Sequence, residues 1–552
     1  MKAIGSGGGV GGGRGNEGAS ENEGASGNAI GLEVSTSSAK CVLCSPAGAV
    51  IRSVSIPFDA QTSSTVSQHP GRMVETAIEA LRQLVQGGEM GEVAIIGLGG
   101  TWHSLLLLDH NGEALFPIST WADLSASSAA GAVKQDHQAA QRFYHQTGCV
   151  VHGMYPAWKL KWISEQTPEV FGKIALVSTQ IGQLFATLTG TRAISKCVAS
   201  GSGLLNIHTL DWDPEILALL GMKAGQLEDL VEAFHTAPLM SEVAQKVGLP
   251  SGIPVTVGCA DGALNQVAVS GVAQGVMSFS VGTSGAIRLV QNAPLIPEEP
   301  STWCYYLFDQ KRLAGAATQG AANCLSWFFK TIGGGGSGGS RSSGGSRSSG
   351  SSRSSAGRAG LGDENGAVAG VAGDEKPDYA AFEKAVAAIE REQAPYFLPF
   401  IYGERCPGWN EFRRGGFVGV DAAHDQAHLY YAILEGILFN LYQCYLKLAD
   451  VGGVPTEIRV SGGILNSPLW LQMAADIFGK PMLTSGFAND STVGAAIVAL
   501  KAAGIIGRIE DCLPEIRHTY QPRVEYHRLY QERFANYLDY YTSRIERGVH
   551  DG

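Results

Sequence analysis

Short apolar runs bounded by small-residue turns dominate this chain, and stretches with helical spacing separate them. Residues 29–44 predict a strand, a hydroxyl-rich turn and a second strand: Glu33-Val34-Ser35-Thr36-Ser37-Ser38-Ala39 leads into Cys41-Val42-Leu43. Ala49–Pro57 predicts another strand, Val74–Val85 a helix with Val74, Ile78, Leu81 and Val85 on one face, and Val93–Gly97 a buried strand. Ile181–Leu188 and Pro214–Leu220 read as helices, and Ile253–Val257 as a strand running into Gly258-Cys259-Ala260-Asp261-Gly262. The opening pattern then returns. Val276–Ser280, the turn Gly282-Thr283-Ser284-Gly285 and Ile287–Val290 predict a second strand–turn–strand. Beyond it, Gly315–Phe329, Asp425–Ala449, Pro468–Phe478 and Thr492–Ala503 read as helices, with Gly504 as a stop. Ile458–Val460 reads as a short strand entering Ser461-Gly462-Gly463.

Strand–strand–strand–helix–strand orders of this kind predict an α/β fold with mixed sheets. A hydroxyl-rich hairpin carried once per half predicts a duplicated module around a phosphorylated ligand, because small turns let backbone N–H groups approach an anion closely.

Composition narrows the class. Charged residues make up 16% of the 552 positions, which suits well-buried globular domains. A net charge of −11, from 40 basic and 51 acidic residues, argues against a general nucleic-acid binder. Ten cysteines are scattered singly except for Cys41 and Cys44, whose sulfurs should fall on opposite faces of one strand. That arrangement opposes a metal or disulfide role and fits a reducing compartment, so a cytoplasmic location is expected. No run of 18 uncharged apolar residues is present, so no membrane span is expected. Residues 1–28 read as a disordered Gly-rich tail, and 333–373, with Arg-Ser-Ser at 341, 347 and 353, as a flexible insertion. Nothing marks an exposed interface; a homodimer is the assembly considered.

Several residues carry candidate chemistry. Asp261 follows a buried strand, where a carboxylate can face a cleft and take a proton from a hydroxyl. Trp102-His103 and Trp121-x-Asp123 set aromatic rings beside polar groups, a combination that holds sugars. Gly403-Glu404-Arg405-Cys406-Pro407 is a polar turn with an adjacent acid–base pair, for which mutual pairing is the default expectation.

In order along the chain, the first hairpin, Gly258-x-x-Asp261, Gly282-Thr283-Ser284, Gly403-Glu404-Arg405-x-Pro407, Glu435-Gly436, Ser461-Gly462-Gly463, Ala475-Asp476-Ile477 and Gly494-Ala495-Ala496 resemble the FGGY carbohydrate kinases of the actin-like ATPase superfamily. The resemblance implies two ribonuclease-H-like domains with mixed sheets flanking a central cleft, here 29–270 for the sugar and 271–545 for the nucleotide. It implies ATP and Mg²⁺ as cofactors. Thr36, Ser37, Lys40, Gly282, Thr283 and Ser284 would meet the phosphates, and Gly320, Asn323, Gly462, Gly463 and Asn466 the nucleoside. Trp102, His103, Trp121, Asp123 and Asp261 would meet the sugar, with Asp261 as general base and Glu33 holding Mg²⁺ through water. Val151–Pro156, Ser119–Asp123 and Ala199–Trp212 look like the gluconate kinase branch, which makes D-gluconate the first substrate choice, ahead of xylulose, ribulose and glycerol.

Four positions depart from the family pattern. Glu33 and Ser35 stand where the first hairpin usually reads Asp-x-Gly-Thr. Glu33 extends the carboxylate by one methylene, and misplacement of ~1 Å can cost about 10²-fold in rate. A positive φ at Ser35 would cost about 1 kcal/mol, and its side chain could crowd the γ-phosphate. Ser125 replaces an arginine expected after Trp-x-Asp, and Ser195 replaces an aspartate. A catalytically weakened kinase-fold protein that binds a sugar acid or nucleotide is therefore the second reading.

Overall fold

The computed structural model describes residues 26–332, 379–485, 491–512 and 515–548. The tail reading therefore falls outside the described residues except at its end, where Asn28 already opens the first strand. The insertion at 333–373 lies outside them altogether.

Two seven-stranded sheets organise the chain. The first runs, edge to edge, Thr236–Pro238, Pro254–Thr256, Val93–Gly100, Asn28–Val34, Ser38–Cys44 and Val50–Pro57, with Cys259–Ala260 also paired to Val93–Gly100. The second runs Trp303–Tyr306, Arg312–Thr318, Gly285–Gln291, Val276–Val281, Glu457–Ser461, Met482–Ser485 and Ile516–Tyr520. In each, three antiparallel strands continue into two parallel ones in the same order. The duplication expected from the two hairpins is thus a duplication of topology.

The predicted elements form where apolar spacing favours them. Helix Pro70–Gln86 starts at Pro70 behind a His69 cap and buries Met73, Val74, Ala77, Leu81 and Leu84 against the first sheet's outer face. Helix Gln426–Gly452 begins at the Asp425 cap, and Pro468–Phe478 matches its predicted limits. Cys41 lies in the core outside the first sheet and Cys44 in the core between the two halves, on opposite faces as expected.

One predicted helix was misassigned. Gly315–Phe329 splits into the strand Arg312–Thr318 and the helix Ala322–Thr331. Alanine favours a helix, but these small residues are buried between two partner strands, and packing overrides propensity. Gly315 makes room there: a Cβ would lie 2.3 Å from the Trp303 ring.

The two halves meet through helices Asp261–Ala268 and Ser491–Ala502. The second of these packs on the inner face of the first sheet, although its sequence follows the second sheet. A Cβ at Gly31 or Gly97 would come within 2.0 Å of a carbonyl of that helix, so the absence of side chains permits the contact. Among the described residues no helix is long and apolar enough to cross a membrane.

Candidate active site

The first turn, Thr36-Ser37, is clamped from several sides. Ser35 Oγ accepts from the Ser37 and Ser38 amides at 3.2 and 3.0 Å. Gln68 Nε2 donates to the Ser35 and Thr36 carbonyls at 2.8 and 3.2 Å, and Ser63 Oγ to Thr36 O at 2.6 Å. Gln180 Nε2 bridges Ser35 O and Gln68 Oε1, and Trp121 Nε1 donates to Thr36 Oγ1 at 3.2 Å. Ser35 is not among the residues with positive φ, so the strain expected of a non-glycine here is absent. Its hydroxyl turns back onto the turn's own amides in the manner of an ST turn.

Glu33 sits opposite Lys40 in the hairpin register and is buried. Its Oε2 accepts from Ser491 Oγ at 2.7 Å and Thr492 Oγ1 at 2.6 Å. The longer side chain thus has partners of its own at the start of the helix that crosses from the second half.

The second turn is built more openly. Gly282 N donates to Ser284 O at 3.0 Å, and the Ala322 and Asn323 amides donate to the Gly282 and Thr283 carbonyls at 3.0 and 3.3 Å. Thr283 and Ser284 are exposed. Asn323 caps its own helix start, accepting from Ala321 N at 2.8 Å, and Gly320 sits where a Cβ would lie 1.9 Å from Pro399 O. Ser461 pairs with Ser280, which brings Gly462, Gly463 and Asn466 beside this turn. Gly462 has φ +86, and a Cβ there would come 2.6 Å from Val281 O. Gly282–Ser284, Gly320, Asn323 and Gly462–Asn466 therefore gather at one end of the second sheet, with Gly462, Gly463 and Asn466 open to solvent.

Asp261 begins helix Asp261–Ala268, directly after Cys259–Ala260. Glu33 and Cys259 both pair with Gly99, one on each side. The two acids thus leave the same end of the first sheet about two strand spacings, ~10 Å, apart. Asp261 Oδ1 accepts from Gly262 N at 2.7 Å. Burial raises its carboxyl above the ordinary range, opposed by the Arg288 charge, the Gly262 and Trp102 amides and Arg405.

The expected sugar residues line the same region. Trp102 Nε1 donates to Cys197 O at 3.0 Å, and its ring packs on Tyr305 and Trp303 at 5.0 and 5.8 Å between centroids. His103 has φ +66 and its Nδ1 lies 2.6 Å from Gly201 O. Burial, with Arg405 and Lys159 nearby, pushes it down to about 3. A neutral ring with Nδ1–H on a carbonyl leaves Nε2 as an acceptor. Asp123 accepts from Ser119 Oγ at 2.6 Å and from Ser125 N at 3.0 Å, so Ser125 braces that acid. Ser195 caps the helical turn 196–199 by accepting from Val198 N.

Three cations complete the pocket: Arg405 of the polar turn, and two that sequence reasoning missed, Arg288 and Lys159. Arg288, on strand Gly285–Gln291, lies against Asp261 and is lowered by burial to about 10, so it stays charged at neutral pH. Lys159 donates to Thr120 O at 2.5 Å and is pushed down to about 8 by burial. Arg405 lies over the Trp121 ring at 5.8 Å. The pairing expected between Glu404 and Arg405 does not occur. Glu404 turns to Arg413 at 3.3 Å, Tyr541 OH at 2.6 Å and Gly408 N at 3.1 Å, because adjacent residues on a turn point opposite ways. Lys159 carried a readable signal, a lysine inside the apolar run Pro-Ala-Trp-Lys-Leu of a helix.

No cluster of three or more His, Cys, Asp or Glu suited to a metal occurs among the described residues. Mg²⁺ travelling with a nucleotide needs only one or two carboxylates and keeps several waters. Glu33 and Asp261 fit that need in kind, and the two hydroxyls on Glu33 orient it as outer partners orient metal ligands.

Comparison with known proteins gives a consistent neighbourhood. The profile of the FGGY family of carbohydrate kinases matches with its N-terminal domain at residues 28–268 and its C-terminal domain at 277–503. Gluconokinase of Bacillus subtilis (strain 168) is 28% identical over 500 residues, 89% of this chain and 91% of that protein. Xylulose kinase of the same strain is 26% identical over 530 residues, 93% and 96%. The crystal structure of gluconate kinase from Lactobacillus acidophilus superposes with a TM-score of 0.82 at 27% identity, covering 94% of this chain and 98% of that one.

Proposed function

This chain belongs to the FGGY family of carbohydrate kinases, with the two-domain mixed α/β fold of the actin-like ATPases, and from that premise we propose that it transfers the γ-phosphoryl group of ATP to D-gluconate, giving 6-phosphogluconate. The observation that carries the reading is Asp261: a carboxylate at the end of the first sheet, facing two arginines in a pocket that also holds Trp102, His103, Trp121 and Asp123.

Asp261 takes the proton of the 6-hydroxyl as that oxygen attacks the γ-phosphorus. Oδ1 is held by Gly262 N, which fixes the carboxylate for the transfer. His103 Nε2 and Asp123 accept from substrate hydroxyls. Thr283 and Ser284, with Thr36, Ser37 and Lys40 from the facing hairpin, donate to the phosphate oxygens. Gly462, Gly463 and Asn466 offer a flat wall to the nucleoside, with Gly320 and Asn323 behind it. Mg²⁺, when bound, would supply charge neutralisation at the phosphates, and Glu33 is the residue that would hold it. The division at 29–270 and 271–545 belongs to the same proposal, as does a cytoplasmic location, in keeping with ten free cysteines.

A coupled ADP-release assay across D-gluconate, D-xylulose, D-ribulose and glycerol tests the reading. Gluconate should give the highest kcat/KM; preference for a neutral ketose or polyol overturns it. One observation favours the weakened-kinase alternative, namely that Ser35 Oγ occupies two amides of the first phosphate turn. Nucleotide binding without turnover on any of the four substrates would establish that alternative.

A further inference from the structure

Buried polar groups in folded proteins almost always have partners, so an orphaned one calls for a reason. Arg288 is such a case. Its Nε and Nη1 are buried with no hydrogen-bond partner, while Asp261, the neighbouring acid, is held by Gly262 N. A guanidinium carries five donors in a planar fork that matches a carboxylate.

The surroundings shape a receptor around it. Arg288 lies in a row across the second sheet: Trp303 pairs with Gly315, Gly315 with Arg288, and Arg288 with Ser278. Side chains in such a row share a face. Ser278 Oγ, next in the row, is also buried without a partner. Trp303 and Tyr305 stack at 4.4 Å and form the apolar flank, and a Cβ on Gly262 would touch Arg288 Nε at 3.1 Å, which seats the guanidinium beside the helix that carries the base. Arg288 stands four residues along its strand from Ser284, about 14 Å at strand rise. The separation is of the length that an extended carbon chain and its phosphoryl donor would span between the turn and the cation.

We propose that Arg288 binds the carboxylate of the substrate and is the residue that selects a sugar acid over a neutral polyol. The inference rests on the gluconate reading above. Arg405 also buries an unpartnered Nε and adds positive potential, but it lies over the Trp121 ring and not in the strand row that sets Arg288 beside Ser278.

The test compares D-gluconate with D-gluconamide, its neutral isostere, in the wild type and in Arg288→Gln and Arg288→Lys, on the pH plateau. The wild type should favour gluconate by about 100-fold in kcat/KM, the range of a charge-assisted bidentate contact. Arg288→Gln should bring that ratio to within about 3, chiefly through KM, and Arg288→Lys should fall between. Gluconate affinity without ATP, followed by tryptophan fluorescence, should fall in parallel, and circular dichroism checks that each variant folds. Equal loss on both compounds would make Arg288 a support for Asp261 and overturn the inference, as would an unchanged ratio. Should Arg288→Gln not fold, Arg288→Lys and the wild-type ratio decide, a ratio near one overturning it. Wild-type protein that phosphorylates xylulose but not gluconate instead sinks the functional reading itself.

Discussion

The two hairpin turns share a topology and differ in how their polar groups are used. In the first, Ser35 Oγ holds two amides and Gln68, Ser63, Gln180 and Trp121 fasten the carbonyls and the Thr36 hydroxyl. In the second, Thr283 and Ser284 stand exposed; Gly282–Ser284 are held by backbone bonds within the turn and to the following helix, and Gly285 N donates to Thr318 Oγ1. A duplicated unit has thus diverged into a rigid jaw and an open one. Binding strength should reside in the open turn and alignment in the clamped turn.

Asp261 lies between the jaws, and its loss should have the largest effect. Asp261→Asn should lower kcat by about 10³–10⁴-fold with little change in nucleotide affinity, within the upper range for a general base; a fall under tenfold would remove the centre of the comparison. The sign of the pH dependence follows from the same carboxyl. Raised by burial, it is protonated and inactive below a value above the ordinary carboxylate range, so kcat/KM should fall on the acid side, and Arg288→Gln should move that limb further up.

Next in size, Thr283→Ala should cost about 10²-fold in kcat, whereas Thr36→Ala should cost about tenfold, because Thr36 Oγ1 already engages Trp121. Steady-state kinetics showing equal losses would erase the distinction. Ser35→Ala frees the Ser37 and Ser38 amides and should lower KM for ATP by about 2–10-fold, the worth of one or two hydrogen bonds. It should also lower Tm by a few degrees, and a rise in KM would mean that the hydroxyl itself serves the phosphate. Glu33→Asp should act chiefly on stability. Withdrawing the carboxylate from Ser491 and Thr492 should cost about 1–2 kcal/mol in urea unfolding, and activity should drop rather than recover, since the site is built around the longer side chain.

Much of this was legible in the chain. Small hydroxyl-rich turns between apolar runs fixed both hairpins, and Asp261 and Gly462 lie at strand ends where the pattern placed them. Local reading failed where distant packing decides. Gly315–Thr318 became a strand because two neighbours and the Trp303 ring enclose it. Glu33 finds its partners 458 and 459 residues away, beyond any local pattern. Arg288 looks like any single arginine in an apolar strand; only the tertiary fold shows that two of its guanidinium nitrogens are buried and unanswered.

The helix Ser491–Ala502 lies on Gly31 and Gly97 of the first sheet. During synthesis the first sheet leaves the ribosome long before this helix exists, so the inner face of that sheet waits uncovered until Ser491–Ala502 has emerged. A fragment ending near residue 270 would carry that bare face permanently, and it should be recovered from cells as aggregate unless the missing helix is supplied in trans.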